Sequence, residues 1–137
     1  APFTYVSFET EDYNAHRVLS QVLEGLVSIN VETNKIEAQI ASEWKISDDG
    51  LTYSFTLRDD VFFHPHKLLT SKSERLLTVE DVVATFEKIC SPNSKGKPTR
   101  AYELIYKGNL KGAEEFYAKK AKEISGIKAS EHQCRFD

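Results

Sequence analysis

The feature that most constrains the fold is an alternating segment between residues 44 and 58. Trp44 and Ile46 alternate with polar residues, and Asp48-Asp49-Gly50 follows them. Glycine tolerates the positive φ that tight hairpin turns need. After the turn the alternation resumes, with Leu51, Tyr53, Phe55 and Leu57 on one side and Thr52, Ser54, Thr56 and Arg58 on the other. This pattern predicts a β-hairpin with one face in a core, and it favours core packing of the aromatic side chains over an aromatic binding platform.

Helical periodicity marks three further regions. Apolar residues recur at helical spacing between residues 12 and 27. A second helix is predicted to begin at Thr78, whose hydroxyl can cap the first turn while Asp81 returns a bond to the cap amide. Pro92 ends this helix because proline cannot continue the hydrogen-bond ladder. A third, irregular helical region is predicted from about residue 100 to Ile124.

The remaining apolar segments read as strands. Residues 36–40 alternate as a half-buried strand does, and residues 61–63 form a short extended run. Residues 64–77 form a polar connection, while 127–129 and 134–136 are predicted to be the last pair of strands. Hairpin strands mixed with helices, without regular βαβ alternation, predict an α+β fold whose mainly antiparallel sheet has flanking helices.

Length and charge restrict the classes of partner. The 137 residues fit one small domain, and 18 basic against 21 acidic residues give a formal net charge of −3. This balance offers no electrostatic reason to propose nucleic acid as a partner. The sequence begins with Ala and contains no Met. We therefore expect a chain that has been processed or cut from a longer protein.

The residues that could carry chemistry are few. His64 and His66 lie one residue apart, but no cluster of cysteines or carboxylates at ligand spacing joins them, so an ordinary loop pair is favoured over a metal site. Cys90 and Cys134 are best interpreted as small buried apolar residues, and a disulfide between them stays open. Neither G-x-S-x-G nor a Gly-rich phosphate loop is present. The sequence therefore predicts no enzyme, no cofactor and no metal.

Residues 41–64 carry a longer pattern. They read Ala-x-x-Trp-x-x-Ser-x-Asp-Gly-x-x-Tyr-x-Phe-x-Leu-Arg and then, after two residues, an apolar-x-Phe-His element. This pattern resembles the signature of the bacterial family 5 solute-binding proteins. The start of the second helix is similar to the family's Leu-Thr-Ala-x-Asp-Val element, and residues 124–127 are similar to its Ile-x-Gly-Ile element. The matching positions are Ala41, Trp44, Ser47, Asp49, Gly50, Tyr53, Phe55, Leu57, Arg58, Phe63, His64, Thr78, Asp81 and Val82.

The resemblance implies a receptor of two lobes that closes on oligopeptides, dipeptides, nickel complexes or sugars. It implies an extracytoplasmic, non-enzymatic protein, in the periplasm or anchored as a lipoprotein, that delivers its solute to the membrane permease of an ABC importer. Residues 1–137 are then a fragment of the first, N-terminal lobe of a type II periplasmic-binding-protein-like fold, namely its peripheral subdomain and the start of its core sheet, without the second lobe. The signature residues are expected to be structural, with Trp44 and Tyr53 in the core, and no ligand contact is assigned to them.

The sequence also departs from the family pattern. Pro65-His66 stand where the family has Asp-Gly, and the connection through residues 67–76 is longer than usual. These differences indicate a divergent branch. Two alternatives stay open at this point: a sensor or regulator that reuses the same lobe, and a stand-alone α+β enzyme or interaction domain.

Overall fold

The structure, a computed structural model, describes residues 13–137. Within this range no helix has the length and apolarity needed to span a membrane. The elements are α1 (Tyr13–Leu19), β1 (Val27–Ile29), β2 (Ile36–Ala38), β3 (Ala41–Ile46), β4 (Tyr53–Leu57), α2 (Val79–Ile89), α3 (Ala113–Tyr117), β5 (Ile127–Ser130) and β6 (Gln133–Phe136), with a 3₁₀ turn at Ser73–Arg75 and a π-helical turn at Tyr102–Tyr106.

The strands within residues 13–137 form two antiparallel sheets. β1 pairs with β2 in a small ribbon, and the larger sheet has the order β3-β4-β6-β5. Each pair of adjacent strands in the larger sheet is antiparallel. The predicted α+β class with a mainly antiparallel sheet is therefore confirmed, as are the signature hairpin and the final pair of strands.

The register of the larger sheet separates an apolar face from a polar one. Paired residues point to the same side of an antiparallel sheet, and successive residues alternate between sides. One face carries Trp44, Ile46, Tyr53, Phe55, Leu57, Ile127, Ala129, Cys134 and Phe136, and the other carries mostly charged or hydroxyl side chains such as Lys45, Ser54, Lys128 and Arg135. Helix α2 packs against the apolar face at β5 and β6.

The core lies under α2 and extends to the segments that precede β5. Its buried members are Leu57, Val79, Val82, Cys90, Tyr102, Leu110, Ala113, Ile124, Ile127 and Cys134. Tyr102 stacks on Tyr117, with ring centroids 4.5 Å apart and planes inclined by 12°. The third helical region is thus tied to the core by aromatic contact.

Helix α2 begins as the sequence predicts. Thr78 has an extended backbone and its N–H donates to the Asp81 carboxylate at 2.9 Å, which completes the capping box. An isolated helix leaves the backbone N–H groups of its first turn without partners, and this box pairs those of Thr78 and Asp81. The short Asp side chain thus takes the place of the usual Glu.

Three predictions of helix or strand extent are wrong. α1 ends at Leu19 rather than near Val27, and the residues that follow it are turns with exposed side chains. The third helical region divides into the π-helical turn and α3, which ends at Tyr117 with Ala118 as its C-cap, because Lys119 takes a positive φ of 58°. β2 is exposed along its whole length rather than half-buried. The predicted first residue of α1, Asp12, lies outside the described residues.

Candidate functional site

The turn of the signature hairpin is held by its own side chains. The Asp49 carboxylate accepts hydrogen bonds from the Ser47 hydroxyl and, at 3.0 Å, from the Leu51 N–H. The N–H of Thr52 donates to Ser47 Oγ at 2.9 Å, and Gly50 has a φ of 72°. The hydrogen bond from Ser47 lowers the pKa of Asp49 the most, and the bond from the Leu51 N–H lowers this pKa further. The Ser-x-Asp-Gly part of the signature therefore builds an exposed turn.

Arg58 joins the end of β4 to the segment between β2 and β3. Its guanidinium donates to both carboxylate oxygens of Asp60, at 2.8 and 3.0 Å, and to the carbonyl of Gln39 at 3.3 Å. The hydrogen bonds raise the pKa of Arg58 and lower the pKa of Asp60. Since both side chains are exposed to solvent, the ion pair contributes little stability by itself. The contacts of Arg58 with Asp60 and with the Gln39 carbonyl fit a role in positioning these two backbone segments.

The Phe-His element lies in an extended segment that pairs with the approach to α2. Phe62 forms an isolated antiparallel bridge with Leu76, and the N–H of Phe63 donates to the carbonyl of Arg75 at 2.7 Å. Phe63 and His64 are both exposed. The nearby His66 accepts a hydrogen bond from the N–H of Leu68 at its Nδ1 atom, 3.2 Å away. In residues 13–137, no three His, Cys, Asp or Glu side chains cluster as metal ligands would.

An apolar groove of about 1520 Å³ runs between the sheet and α2. Its floor is the apolar face of β4 and β6, and its walls are α2, the Phe-His element, the segment after α1 and the π-helical turn. From the signature it is lined by Tyr53, Phe55, Phe63, His64, Asp81 and Val82. The structure thus brings six of the fourteen signature residues to one surface.

The other signature residues lie elsewhere. Ala41 and Leu57 are buried at the far end of the hairpin, Trp44 is half-buried outside the groove, and Ser47, Asp49 and Gly50 form the tip. Trp44 and Tyr53 were both expected in the core, but Trp44 is half-buried and outside the core cluster, and 42% of the surface of Tyr53 is exposed. The alternation placed Tyr53 on the correct face, and its exposure follows because α2 makes most of its contacts with the sheet at β5 and β6.

The aromatic residues of the groove differ in how clearly the sequence marks them. Phe86 and Phe136 could be placed by helical spacing and by strand alternation, respectively. Tyr106 belongs to a π-helical turn, which has no distinctive periodicity, and only its tyrosine ring marks it. Burial raises the pKa of Tyr106, so its hydroxyl stays neutral in the groove wall.

The groove carries little charge. The acidic residues and histidines among its lining are Glu24, His64, Asp81 and Asp137, and no Lys or Arg is among the described residues that line it. Asp81 is engaged in the helix cap and Asp137 accepts hydrogen bonds from Arg135 and Thr52. The surface is therefore suited to apolar packing.

The two cysteines belong to the core and take no part in the groove. Both are buried and free, on α2's C-terminal cap and on β6. Burial raises the pKa of each thiol to about 11, which keeps both thiols protonated at neutral pH. The interpretation of Cys90 and Cys134 as small buried apolar residues is confirmed.

The fold matches solved structures of peptide-binding proteins. An oligopeptide-binding protein from Borrelia burgdorferi matches 98% of this chain with a TM-score of 0.76 and 26% identity, over 25% of its own length. The periplasmic binding protein DppA from Helicobacter pylori, solved with a peptide, matches 96% of this chain with a TM-score of 0.72 and 25% identity, over 24% of its length. The fold therefore matches about a quarter of each of these periplasmic binding proteins.

The family follows from the sequence. Residues 35–137 match the family described as bacterial extracellular solute-binding proteins, family 5 Middle, and the chain belongs to this family. Heme-binding protein A of Haemophilus influenzae is 39% identical over 85 residues, which are 62% of this chain and 15% of that protein. The probable di/tripeptide-binding protein 5 of Pseudomonas aeruginosa is 32% identical over 88 residues, 64% of this chain and 16% of its own length. The chain thus spans about a sixth of these curated relatives.

Proposed function

We propose that residues 1–137 form part of the N-terminal lobe of an extracytoplasmic solute-binding protein, namely its peripheral subdomain and the start of its core sheet. The observation that carries this proposal is the family match over residues 35–137 together with a fold match that covers 98% of the chain. The names of the relatives support it, since they are binding proteins for haem and for di- and tripeptides. The protein is a binding protein and not an enzyme.

The solute of the whole receptor is a peptide or a similar small molecule, held between two lobes and passed to an ABC permease. Relatives named as di/tripeptide-binding and dipeptide-binding proteins support this solute class. The haem-binding relative has the higher identity, 39%, and makes haem the competing solute. The matches give no support to the sensor or regulator alternative. The receptor acts outside the cytoplasm, in the periplasm or anchored to the membrane as a lipoprotein.

A binding measurement on the full-length receptor tests this function. We expect isothermal titration calorimetry to detect saturable binding of di-, tri- or longer peptides, and a strain that lacks the gene to lose uptake of the same peptides. Residues 1–137 alone are the matched control and should bind no peptide, because the opposing lobe is missing. Saturable binding of haem without any peptide would overturn the solute class. Binding of neither solute, with unchanged uptake in the deletion strain, would overturn the transport function.

A further inference from the structure

We infer that the turn of the signature hairpin protects the Asp49-Gly50 dipeptide from spontaneous conversion to isoaspartate, and that the Ser47 hydroxyl is central to this protection. The sequence contains no other Asp-Gly and no Asn-Gly. Aspartate rearranges faster before glycine than before a larger residue, because glycine has no side chain to hinder the attack. Both residues are exposed to water at the tip of the hairpin. The dipeptide is therefore a modification site that the turn has to control.

The rearrangement is an intramolecular reaction that needs no reactant other than water. The backbone nitrogen of Gly50 loses its proton and forms a bond to Cγ of Asp49, and one carboxyl oxygen leaves as water. Water then opens the resulting succinimide at the backbone carbonyl of Asp49. The chain now continues through the side-chain carbonyl, so the mass is unchanged and the main chain is longer by one methylene carbon.

The turn holds the attacking nitrogen in a hydrogen bond. The N–H of Gly50 donates to the carbonyl of Ser47 at 2.8 Å. When the proton leaves, the electron pair of the nitrogen lies along the former N–H bond and points at this carbonyl oxygen. Attack on the carboxyl carbon of Asp49 therefore requires this hydrogen bond to break and the peptide unit to rotate.

The turn also holds the carboxyl group that would be attacked. One oxygen of Asp49 accepts hydrogen bonds from the Ser47 hydroxyl and, at 3.0 Å, from the Leu51 N–H. The carboxyl group cannot rotate toward the Gly50 nitrogen without breaking them. The same bonds lower the pKa of Asp49 and keep the carboxyl ionised at neutral pH. A carboxylate releases an oxygen far less readily than a carboxylic acid releases water, so ionisation slows the reaction further.

Ser47 connects the carboxyl group to the closure of the turn. Its N–H donates to the carbonyl of Thr52 at 2.9 Å, and its Oγ accepts from the Thr52 N–H at 2.9 Å while its hydroxyl proton goes to Asp49. Formation of the succinimide ring rotates the backbone between Asp49 and Gly50, and a closed turn resists this rotation. Loss of the Ser47 hydroxyl removes two of these bonds at once. Ser47 is thus the positioning residue of the protected turn.

The protection preserves the pairing of β3 with β4. Directly beyond the turn, Ile46 pairs with Tyr53 and Lys45 pairs with Ser54. One extra main-chain carbon in the turn changes the length of the connection between these pairs. Since the register of a hairpin is set by the length and type of its turn, isoaspartate at position 49 would disturb the apolar face that the hairpin contributes to the sheet.

Ageing of the full-length receptor at neutral pH tests this inference. Peptide mapping with electron-transfer fragmentation distinguishes isoaspartate from aspartate at position 49, and a synthetic peptide of residues 44–54 is the unfolded reference. We expect isoaspartate to accumulate at least about tenfold more slowly in the folded receptor than in the peptide, because the reaction has to wait for local opening of the turn.

Substitutions at Ser47 separate its hydroxyl from the rest of the turn. Ser47→Ala should raise the rate in the folded receptor about two- to tenfold, as the loss of a hydrogen bond does, and Ser47→Thr keeps the hydroxyl and should stay near the original rate. The matched control is Ser42→Ala on the same hairpin, whose hydroxyl donates to the carbonyl of Thr56 and which should leave the rate unchanged.

Deamidation of Asn93 in the same digests reports unfolding of the receptor as a whole. Asn93 lies in the loop after α2, and its side-chain oxygen accepts from the N–H groups of Lys95 and Lys97 at 2.9 and 3.0 Å. We expect Ser47→Ala to leave its deamidation rate unchanged. An equal rise at positions 49 and 93 would show that Ser47 acts through the stability of the whole fold, which contradicts local protection.

Two other outcomes would overturn the inference. Equal isoaspartate rates in the folded receptor and in the peptide would mean that the turn gives no protection. An unchanged rate in Ser47→Ala would remove Ser47 from the protecting group. Should Ser47→Ala yield no folded receptor, the ratio of rates between the unsubstituted receptor and the peptide still decides whether the turn protects Asp49-Gly50.

Discussion

The ring of Phe86 on α2 packs against the ring of Phe136 on β6, with centroids 4.6 Å apart and planes inclined by 47°. Phe136 also meets Phe55 on β4 edge to face at 5.8 Å, and Phe86 meets Tyr106 in the same way at 5.5 Å. Four aromatic rings thus run in contact from the π-helical turn, through the helix, to the signature hairpin. This row of rings holds α2 on the sheet and forms the base of the groove.

Replacing the ring at the centre of this row should destabilise the protein. We expect Phe136→Ala to lower the free energy of unfolding by about 2–3 kcal/mol, somewhat less than the loss for a fully buried Phe, because Phe136 is half-buried. Urea denaturation measures the change. The control is Leu104→Ala on the exposed side of the π-helical turn, which should change the free energy by no more than about 0.5 kcal/mol. Equal losses for the two variants would contradict the packing described.

The helix cap makes a separate contribution. Asp81→Ala removes the acceptor of the Thr78 N–H, and we expect a loss of about 1 kcal/mol in the free energy of unfolding. Asp81→Asn keeps an acceptor oxygen of the same size and should recover a large part of that loss. Circular dichroism during urea denaturation follows both variants. Equal losses for Ala and Asn would assign the effect of Asp81 to its charge near the helix N-terminus and not to its hydrogen bond.

Two glycines with positive φ should respond differently to alanine. At Gly50, φ is 72° and an added Cβ meets no atom within 4 Å, so Gly50→Ala should cost about 1 kcal/mol for the left-handed backbone alone. At Gly112, φ is 81° and the Cβ would lie 2.7 Å from the Ser125 backbone nitrogen and closer still to its hydroxyl. Gly112→Ala should therefore cost about 3 kcal/mol. The urea midpoints of the two variants measure the difference. A larger loss for Gly50→Ala than for Gly112→Ala would contradict the clash assigned to Gly112.

The hairpin turn should show an acid-dependent contribution. The hydrogen bonds to ionised Asp49 lower its pKa below the ordinary value of 3.8. Their stabilising effect is therefore complete above that value and is lost as the pH falls through the folded pKa. Ser47→Ala removes the largest cause, and we expect an NMR titration to show the pKa of Asp49 rising toward 3.8. Ser42→Ala, on the same hairpin but bonded to the carbonyl of Thr56, should leave the Asp49 titration unchanged.

Local patterns predicted the parts of the fold that local physics decides. The alternation on both sides of Asp48-Asp49-Gly50 fixed a hairpin, because a one-residue slip would turn every apolar side chain to the polar face. The spacing of Thr78 and Asp81 fixed the start of α2, because a capping box is satisfied within four residues. The same alternation put Tyr53 and Phe55 on the face that the groove uses.

The parts that failed depend on contacts distant in sequence. Whether Tyr53 is buried depends on how far α2 reaches across the sheet, and no local pattern contains that distance. Helical spacing continued through residues 118–124, yet the backbone leaves the helix at Lys119 while Ile124 still reaches the core. The groove joins residues from segments far apart in the sequence, so only the assembled structure shows which of them share one surface.

The position of β6 within the larger sheet has a consequence for synthesis of the chain. β6 is translated after the other three strands of the larger sheet, yet it lies between β4 and β5 and pairs with both. β4 ends at Leu57 and β6 begins at Gln133, so at 5–20 residues per second the hairpin waits roughly 4–15 seconds for its neighbour. During that interval the inner edge of β4 and the apolar face beside it stay unpaired, as strand edges that attract other chains do. Until β6 has been made, the signature hairpin therefore lacks the strand that pairs with β4.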